Sequence, residues 1–387
     1  MITHHDIHRL QTFKSLDAPV VSLYVDIPPD PGQLKSVRAR LESLLEPVDQ
    51  LIRSRELPHT PRESLRADAA QIMDVASRAG DYQGQAVAVF ACHHCGLYDE
   101  IAVPSQLPER AIVDATPYLR PLLVALDEAH RYCAVVIDAK NSWLYLFYLG
   151  QLEEADKVPG WVPRRRTFGG GGPMDWDHVQ HRADEKVKQH FRQTAQELEQ
   201  LLALSGTDLV MVGGHAETVP EFVDLLPKAM RAKVAGTFVI DTHAVSPALV
   251  RERVTTLATD YERDEERELV RQATDRVGAH SLGAAGLEWC LAATDEQAVD
   301  VLMVDHDREV PGRACDTCGW LGRSRSECPV CSHATREVPD VIDYMATAVL
   351  ESSGRVEHVY ADTDLAQLTV AALLRFPVPE PPSPSAF

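Results

Sequence analysis

Apolar positions along the chain fall into two rhythms. Strand-length apolar runs recur at residues 20–25, 86–91, 133–137, 208–212, 234–240, 299–304, 356–360 and 371–376, and stretches of helical period separate most of them. Near the N-terminus, Pro28 and Pro29 stop the first strand, and a mainly helical region follows over 34–79 with a break near Pro58. Strands return at 86–91 and 100–103. In the middle, 133–137, a turn over 138–142 and 143–148 read as a hairpin, and DLVMVGG reads as a later buried strand. A helix over 222–230, a strand over 234–240 and a helix from Ser246 complete that part. The charged stretch 261–276 offers Asp264 with Arg267 and Glu268 with Arg271 as i,i+3 pairs, which predicts a solvated connecting helix. The last third predicts a helix over 284–293, a strand, a cysteine module, a helix over 339–352 and two further strands. The proline-rich PVPEPPSPSAF is expected to be disordered. Strands alternating with helices make this an α/β chain. The expected domains are 1–128, 129–258 carrying a glycine-rich loop, and 262–376 with a cysteine module at 313–335, followed by the tail 377–387.

The longest helical pattern is set by Val179, Ala183, Val187, Phe191, Ala195, Leu198 and Leu202. Directly before it stands RRRTFGGGGPMDWD. Arg164, Arg165 and Arg166 offer planar, permanently charged forks suited to phosphate. Gly169 through Gly172 lack a Cβ, so their backbone can approach another surface closely, at an entropic cost for each glycine ordered. Phe168 and Trp176 flank the glycines and suit base stacking. Asp175 or Asp177 suits the N-cap of the helix, and Pro173 suits its entry. A mobile surface loop is the plain alternative. A phosphate loop is excluded, because no Gly-Lys-Ser/Thr follows, and no dinucleotide fingerprint is present. On the helix, His181 and Glu185 lie one turn apart and read as surface polarity.

A chain of 387 residues accommodates two or three cores. No apolar run is long enough to span a membrane, and MITHHDIHRL lacks a basic segment leading into an apolar one, so a cytoplasmic protein is expected. The formal charge of -20 argues against indiscriminate coating of nucleic acid. Any RNA contact must then rest on a few placed groups.

Eight cysteines divide into a tight set and four others. Cys315, Cys318, Cys328 and Cys331 form C-x2-C-x9-C-x2-C, with Gly319 and Pro329 supporting turns. Two such pairs present four thiolates tetrahedrally, the donor set of structural Zn2+ with no open position; disulfides are the weaker reading in a reducing compartment. Cys92 and Cys95, in ACHHC, read as core packing or a tight turn ahead of metal or redox work. Cys133 and Cys290 read as buried.

Taken together, VVSLYVDIPP, CAVVIDAKNSWLYLF, the glycine run, the long helix, DLVMVGG, AVDVLMVDHD, the cysteine module, VIDYMATAVLESSGRVEHV and AALLRF resemble, in order, the archaeal and eukaryotic class-I peptide-chain release factors and Pelota. The bacterial members of that superfamily, with Balon-like relatives, are the nearest in pattern. The resemblance implies a three-domain α/β architecture with a zinc minidomain inserted in the C-terminal domain. It implies binding to the ribosomal A site like a tRNA mimic, with rRNA and P-site tRNA as partners and a translational GTPase as a possible one. In that family the loop carries Gly-Gly-Gln and promotes hydrolysis of the peptidyl-tRNA ester. Here Gly170, Gly171 and Gly172 are the corresponding catalytic candidates, while Pro173 stands where glutamine is expected and brings no backbone N–H. Asn-Ile-Lys-Ser is absent, and RELP occupies 55–58. These departures point to rescue or hibernation without stop-codon decoding. A peptidyl-tRNA hydrolase using a glycine amide and a zinc-containing protein adaptor are the other readings.

Overall fold

The computed structural model describes residues 4–15, 17–54, 57–103, 106–127, 131–148, 151–159, 173–207 and 209–381. The chain forms two compact units, Met1–Glu128 with Glu266–Phe387, and Ala129–Glu265. All of it is mixed α/β.

In the first part of unit one, α1 (His4–Gln11) leads to β1 (Val20–Asp26), then α2 (Ser36–Leu44), α3 (Glu46–Arg53) and α4 (His59–Met73). Next come β2 (Ala86–Cys92), β3 (Leu97–Val103), β4 (Arg110–Asp114) and α5 (Arg120–Asp127). The four strands make one antiparallel sheet in the order β3-β2-β1-β4. Its central strands read as unbroken apolar runs because both faces are covered. Val21, Leu23, Val25, Val87 and Val89 pack toward the helical stretch that includes Leu41, Leu65 and Ile72. Val20, Tyr24, Ala88 and Phe90 enter the opposite core with Leu119 and Leu122. The short strand β4 was not among the expected elements; all five of its residues are half-buried, so it lacks the apolar run that marked the others.

Unit two holds β5 (Arg131–Ile137), β6 (Asn141–Tyr148), β7 (Gln151–Pro159), α6 (Pro173–Ser205), β8 (Leu209–Gly214), α7 (Thr218–Leu225), α8 (Lys228–Arg231), β9 (Val234–Val239) and the start of α9 (Pro247–Gly278). Its sheet runs β7-β6-β5-β8-β9, antiparallel from β7 to β5 and parallel from β5 to β9. Cys133, Val135 and Ile137 join a core with Phe191, Leu198 and Phe222, while Tyr132, Ala134 and Val136 join one with Val250 and Val254. The alternation of a single strand thus separates two helical layers. The hairpin expected at 133–148 is present, and a third strand, β7, extends it. The helix expected over 222–230 divides at Pro227, whose fixed φ starts α8.

The remainder of unit one contains β10 (Gly283–Ala285), α10 (Leu287–Asp295), β11 (Val299–Asp305), β12 (Gly312–Ala314), β13 (Leu321–Gly322), β14 (Arg336–Val338), α11 (Val341–Glu351), β15 (Arg355–Val359), α12 (Leu365–Leu368) and β16 (Val370–Leu374). Four strands pair in the order β10-β16-β11-β15, and β13-β12-β14 form a small separate sheet. One core cluster joins residues from Ile7 to Ala125 with residues from Ala284 to Val378.

That core is crossed by buried charge. Arg120 donates to Asp340 Oδ2 at 3.0 Å and to the carbonyl oxygens of Asp305, at 2.5 Å, and Arg308. Asp343 Oδ1 accepts from the amides of Leu119 and Arg120 at 3.1 and 2.8 Å. Arg336 pairs with Asp114, which also accepts from the Tyr344 hydroxyl at 2.9 Å.

Two expectations need correction here. The charged stretch 261–276 is not simply solvated: within α9, Glu266, Val270 and Ala273 are buried, and Glu266 accepts from the amides of Tyr360 and Ala361 at 2.8 and 2.6 Å. Glu268 and Arg271 do pair on its exposed side, at 2.6 Å. The proline-rich tail begins in ordered packing, since Val378 is buried and its carbonyl accepts from Trp289 Nε1 at 3.0 Å.

Candidate metal centre and the stem of the glycine loop

Two tight turns build the cysteine module, and they repeat one hydrogen-bond scheme. The Cys315 amide donates to Trp320 O and the Gly319 amide to Cys315 O; the Cys328 amide donates to His333 O and the Ser332 amide to Cys328 O. Each turn closes through a left-handed residue, Gly319 at φ 80° and Ser332 at φ 59°. Glycine takes that conformation freely, and serine takes it at a cost.

The four sulfurs converge. Their Sγ atoms all lie within 4.8 Å of one another, with Cys315 to Cys331 at 3.4 Å and Cys318 to Cys328 at 3.5 Å. None is in a disulfide. A tetrahedral cation with bonds of about 2.3 Å sets its sulfur ligands roughly 3.8 Å apart, so the spacing fits such an ion. Burial opposes ionisation of Cys315, but the amides of Cys318 and Thr317 and the neighbouring thiols outweigh it and bring its thiol down to about 6. For Cys318 the Trp320 amide favours the thiolate, yet desolvation and the crowding thiols dominate and push it up to about 12. Four thiolates around one point repel each other, and a cation at the centre removes that conflict. Among the described residues this is the sole group of metal-ligating side chains so gathered.

The other candidates sit around the start of α6. Arg164, Arg165, Arg166, Phe168, Gly170, Gly171 and Gly172 lie outside the described residues, as does the side chain of Trp176. Pro173 is the first residue of α6, so Asp175 and Asp177 fall inside the helix and neither is its N-cap. Past its first turns the helix is firmly seated. Phe191, Ala195, Leu198 and Leu202 are buried as the period predicts. Ser142 Oγ and Thr194 Oγ1, both fully buried, lie 2.7 Å apart, and Thr194 donates on to His190 O. Burial holds the adjacent His190 ring below its usual pKa, against the opposing influence of the Asn141 backbone and Asp138, so it is neutral near pH 7. The sequence pattern places Ser142 in a turn and does not mark these polar anchors. Asp184 and Glu185 are exposed on the helix, in keeping with surface polarity.

The strand β8 ends in a glycine pair that the neighbouring strand requires. A Cβ on Gly214 would stand 2.4 Å from Ile137 O, and one on Gly213 would meet the Phe238 ring at 2.3 Å.

Of the remaining cysteines, Cys133 and Cys290 are buried, and burial pushes the Cys133 thiol up to about 12. Cys92 and Cys95 occupy a tight turn, as expected, though only Cys92 is buried.

Residues 117–259 match the family described as Bacterial archaeo-eukaryotic release factor family 10. Over 239 residues the chain is 28% identical to peptide chain release factor subunit 1 of Methanopyrus kandleri, a match covering 57% of this chain and 55%, little more than half, of that protein. It is 23% identical to peptide chain release factor subunit 1-2 of Methanosarcina acetivorans, across 95% of this chain and 96% of the relative. Among solved structures, a ribosome-bound archaeal Pelota aligns at 18% identity and a TM-score of 0.44, covering 76% of this chain and 78% of its own. By its family match and its sequence relatives, the chain is similar to the bacterial archaeo-eukaryotic release factors.

Proposed function

We propose that the protein is a translation factor acting on the ribosome, which enters the A site like a tRNA mimic in rescue or hibernation and reads no stop codon. The observation that carries this is the position of the glycine run. It joins β7 to the start of α6, inside the stretch 117–259 that matches the release-factor family. A helix of 33 residues extends roughly 50 Å at 1.5 Å per residue, so a loop at its end can reach into a narrow ribonucleoprotein cavity. In this reading Arg164, Arg165 and Arg166 contact rRNA or tRNA phosphate, Phe168 and Trp176 stack on bases, and the glycines admit close backbone approach.

The start of α6 at Pro173 supports a factor that binds without chemistry. Hydrolysis of the P-site ester needs a donor aimed at the developing oxyanion. Proline offers neither side-chain nor amide donor, which leaves only the amides of Gly171 and Gly172. Cys315, Cys318, Cys328 and Cys331 would hold a structural Zn2+, which stitches their two turns into one module and supplies no reactive position. A translational GTPase is the delivery partner this reading allows.

Co-sedimentation of the purified protein with vacant and with peptidyl-tRNA-loaded ribosomes, scoring released peptide in the same tubes, tests the proposal. Binding without release is expected, and an Arg164, Arg165, Arg166 to Ala variant should bind measurably more weakly. Peptide release would replace this reading with a peptidyl-tRNA hydrolase. Absence of binding would overturn it in favour of a zinc-containing adaptor.

A further inference from the structure

The turn that follows β2 carries a second pair of cysteines in an environment built with care. Cys92 is the last residue of the strand, in register with Leu97, and a turn over His93–Cys95 closes through Gly96 at φ 70°. Helix α4 fixes that turn from below: Asp68, fully buried, accepts from the His93 amide at 2.7 Å, and Ser64 Oγ accepts from the His94 amide at 3.0 Å. Ser15 Oγ touches both sulfurs, Cys95 Sγ at 3.1 Å and Cys92 Sγ at 3.9 Å. The Cys95 amide and thiol both interact with the Cys92 sulfur. Cys95 is exposed and Cys92 is enclosed. Cys95 is thus reachable from solvent, with its sulfur part-buried against Ser15, and Cys92 lies deeper.

We infer that Cys92 and Cys95 form a reversible thiol–disulfide modification site whose oxidant is a low-molecular-weight disulfide. The exposed Cys95 thiolate attacks one sulfur of the disulfide, forming a mixed disulfide and releasing one thiolate. Cys92 then gives its proton to solvent and attacks Cys95 Sγ, forming the intramolecular bond and expelling the second thiolate. Two protein thiols are oxidised and one disulfide is reduced to two thiols. Burial raises the Cys92 thiol above its ordinary value, which suits a resolving group that acts only once its neighbour has been modified. A metal at this turn is disfavoured, since no third ligand among the described residues gathers with the two sulfurs.

The test uses the full-length, zinc-loaded protein in a series of oxidised-to-reduced glutathione ratios, quenched in acid and read by peptide mass. The peptide spanning 92–95 should lose two hydrogens and retain no glutathione. In Cys92→Ser the glutathione should remain on Cys95; in Cys95→Ala, Cys92 should react at least about tenfold more slowly than Cys95 does in the native chain. Zinc retention, followed in the same samples, reports on the Cys315–Cys331 module, and a circular dichroism spectrum reports that the fold is intact. Stable glutathione on Cys95 of the native protein, or two free thiols at every ratio, would overturn the inference, as would equal reactivity of Cys92 and Cys95.

Discussion

Replacing Arg120 with alanine would leave Asp340 buried without its cation and would orphan the carbonyls of Asp305 and Arg308. Removing one partner of a buried ion pair costs about 3–5 kcal/mol, so Arg120→Ala should lower the unfolding midpoint sharply, as calorimetry would register. Asp343 ties stability to pH. Burial first, then the Asp340 charge, push its carboxyl up to about 8, against the pull of the Leu119 and Arg120 amides. Its folded pKa lies above the unfolded value near 4, so its stability contribution is complete below about pH 4 and is lost as pH rises through about 8. Asp343→Asn keeps an oxygen for the two amides and cannot ionise; urea titrations should find the variant less sensitive to pH than the native protein between about pH 4 and 8. None of these roles was legible in the sequence. Arg120 and Asp340 lie 220 positions apart, and burial of a charge is decided by packing that no local pattern encodes. The four metal-ligand candidates were legible, because their convergence depends on spacing within two short turns. Cys318→Ser should therefore reduce bound zinc, measured by mass spectrometry under native conditions, to well below one equivalent while the protein remains soluble.

Elements buried on both faces could be read directly, whereas two of the edge strands, β4 and β7, could not. β5 and β8 declared themselves as apolar runs, and the side-chain alternation then assigned each residue to a helical layer. β7 carries Glu153, Glu154, Asp156 and Lys157 on an edge, where charge discourages further pairing and erases the strand signature. The end of β8 offers a test at this scale. Gly214→Ala drives a methyl into Ile137 O, an immobile backbone atom, so the change should destabilise unit two by about 1–3 kcal/mol and speed amide exchange along β5 and β8. The period of α6 gave its buried face correctly, but not the Ser142–Thr194 contact, since hydroxyls at turns and helix interiors are common without such a role.

At the scale of the whole chain, a net charge of -20 limits how RNA can be engaged. A protein that binds through three arginines set in an acidic background should show a shallow salt dependence, each phosphate contact contributing just under one unit of log–log slope. Removing Arg164, Arg165 and Arg166 together should flatten the slope of ribosome binding by about two to three units, measured across a potassium series at fixed magnesium. The α/β class and the order of the main buried strands and helices were evident from the chain, whereas the joint core of its first and last segments was not. That shared core also bears on biosynthesis. The first 128 residues emerge early, yet Thr116 waits 228 positions for Tyr344, and Asp114 waits 222 for Arg336. Until β14 and α11 leave the exit tunnel, the core face formed by Val20, Tyr24, Ala88 and Phe90 is covered only in part, by residues of α1 and α5, so a truncation before β11 should leave apolar surface exposed and its product prone to aggregate.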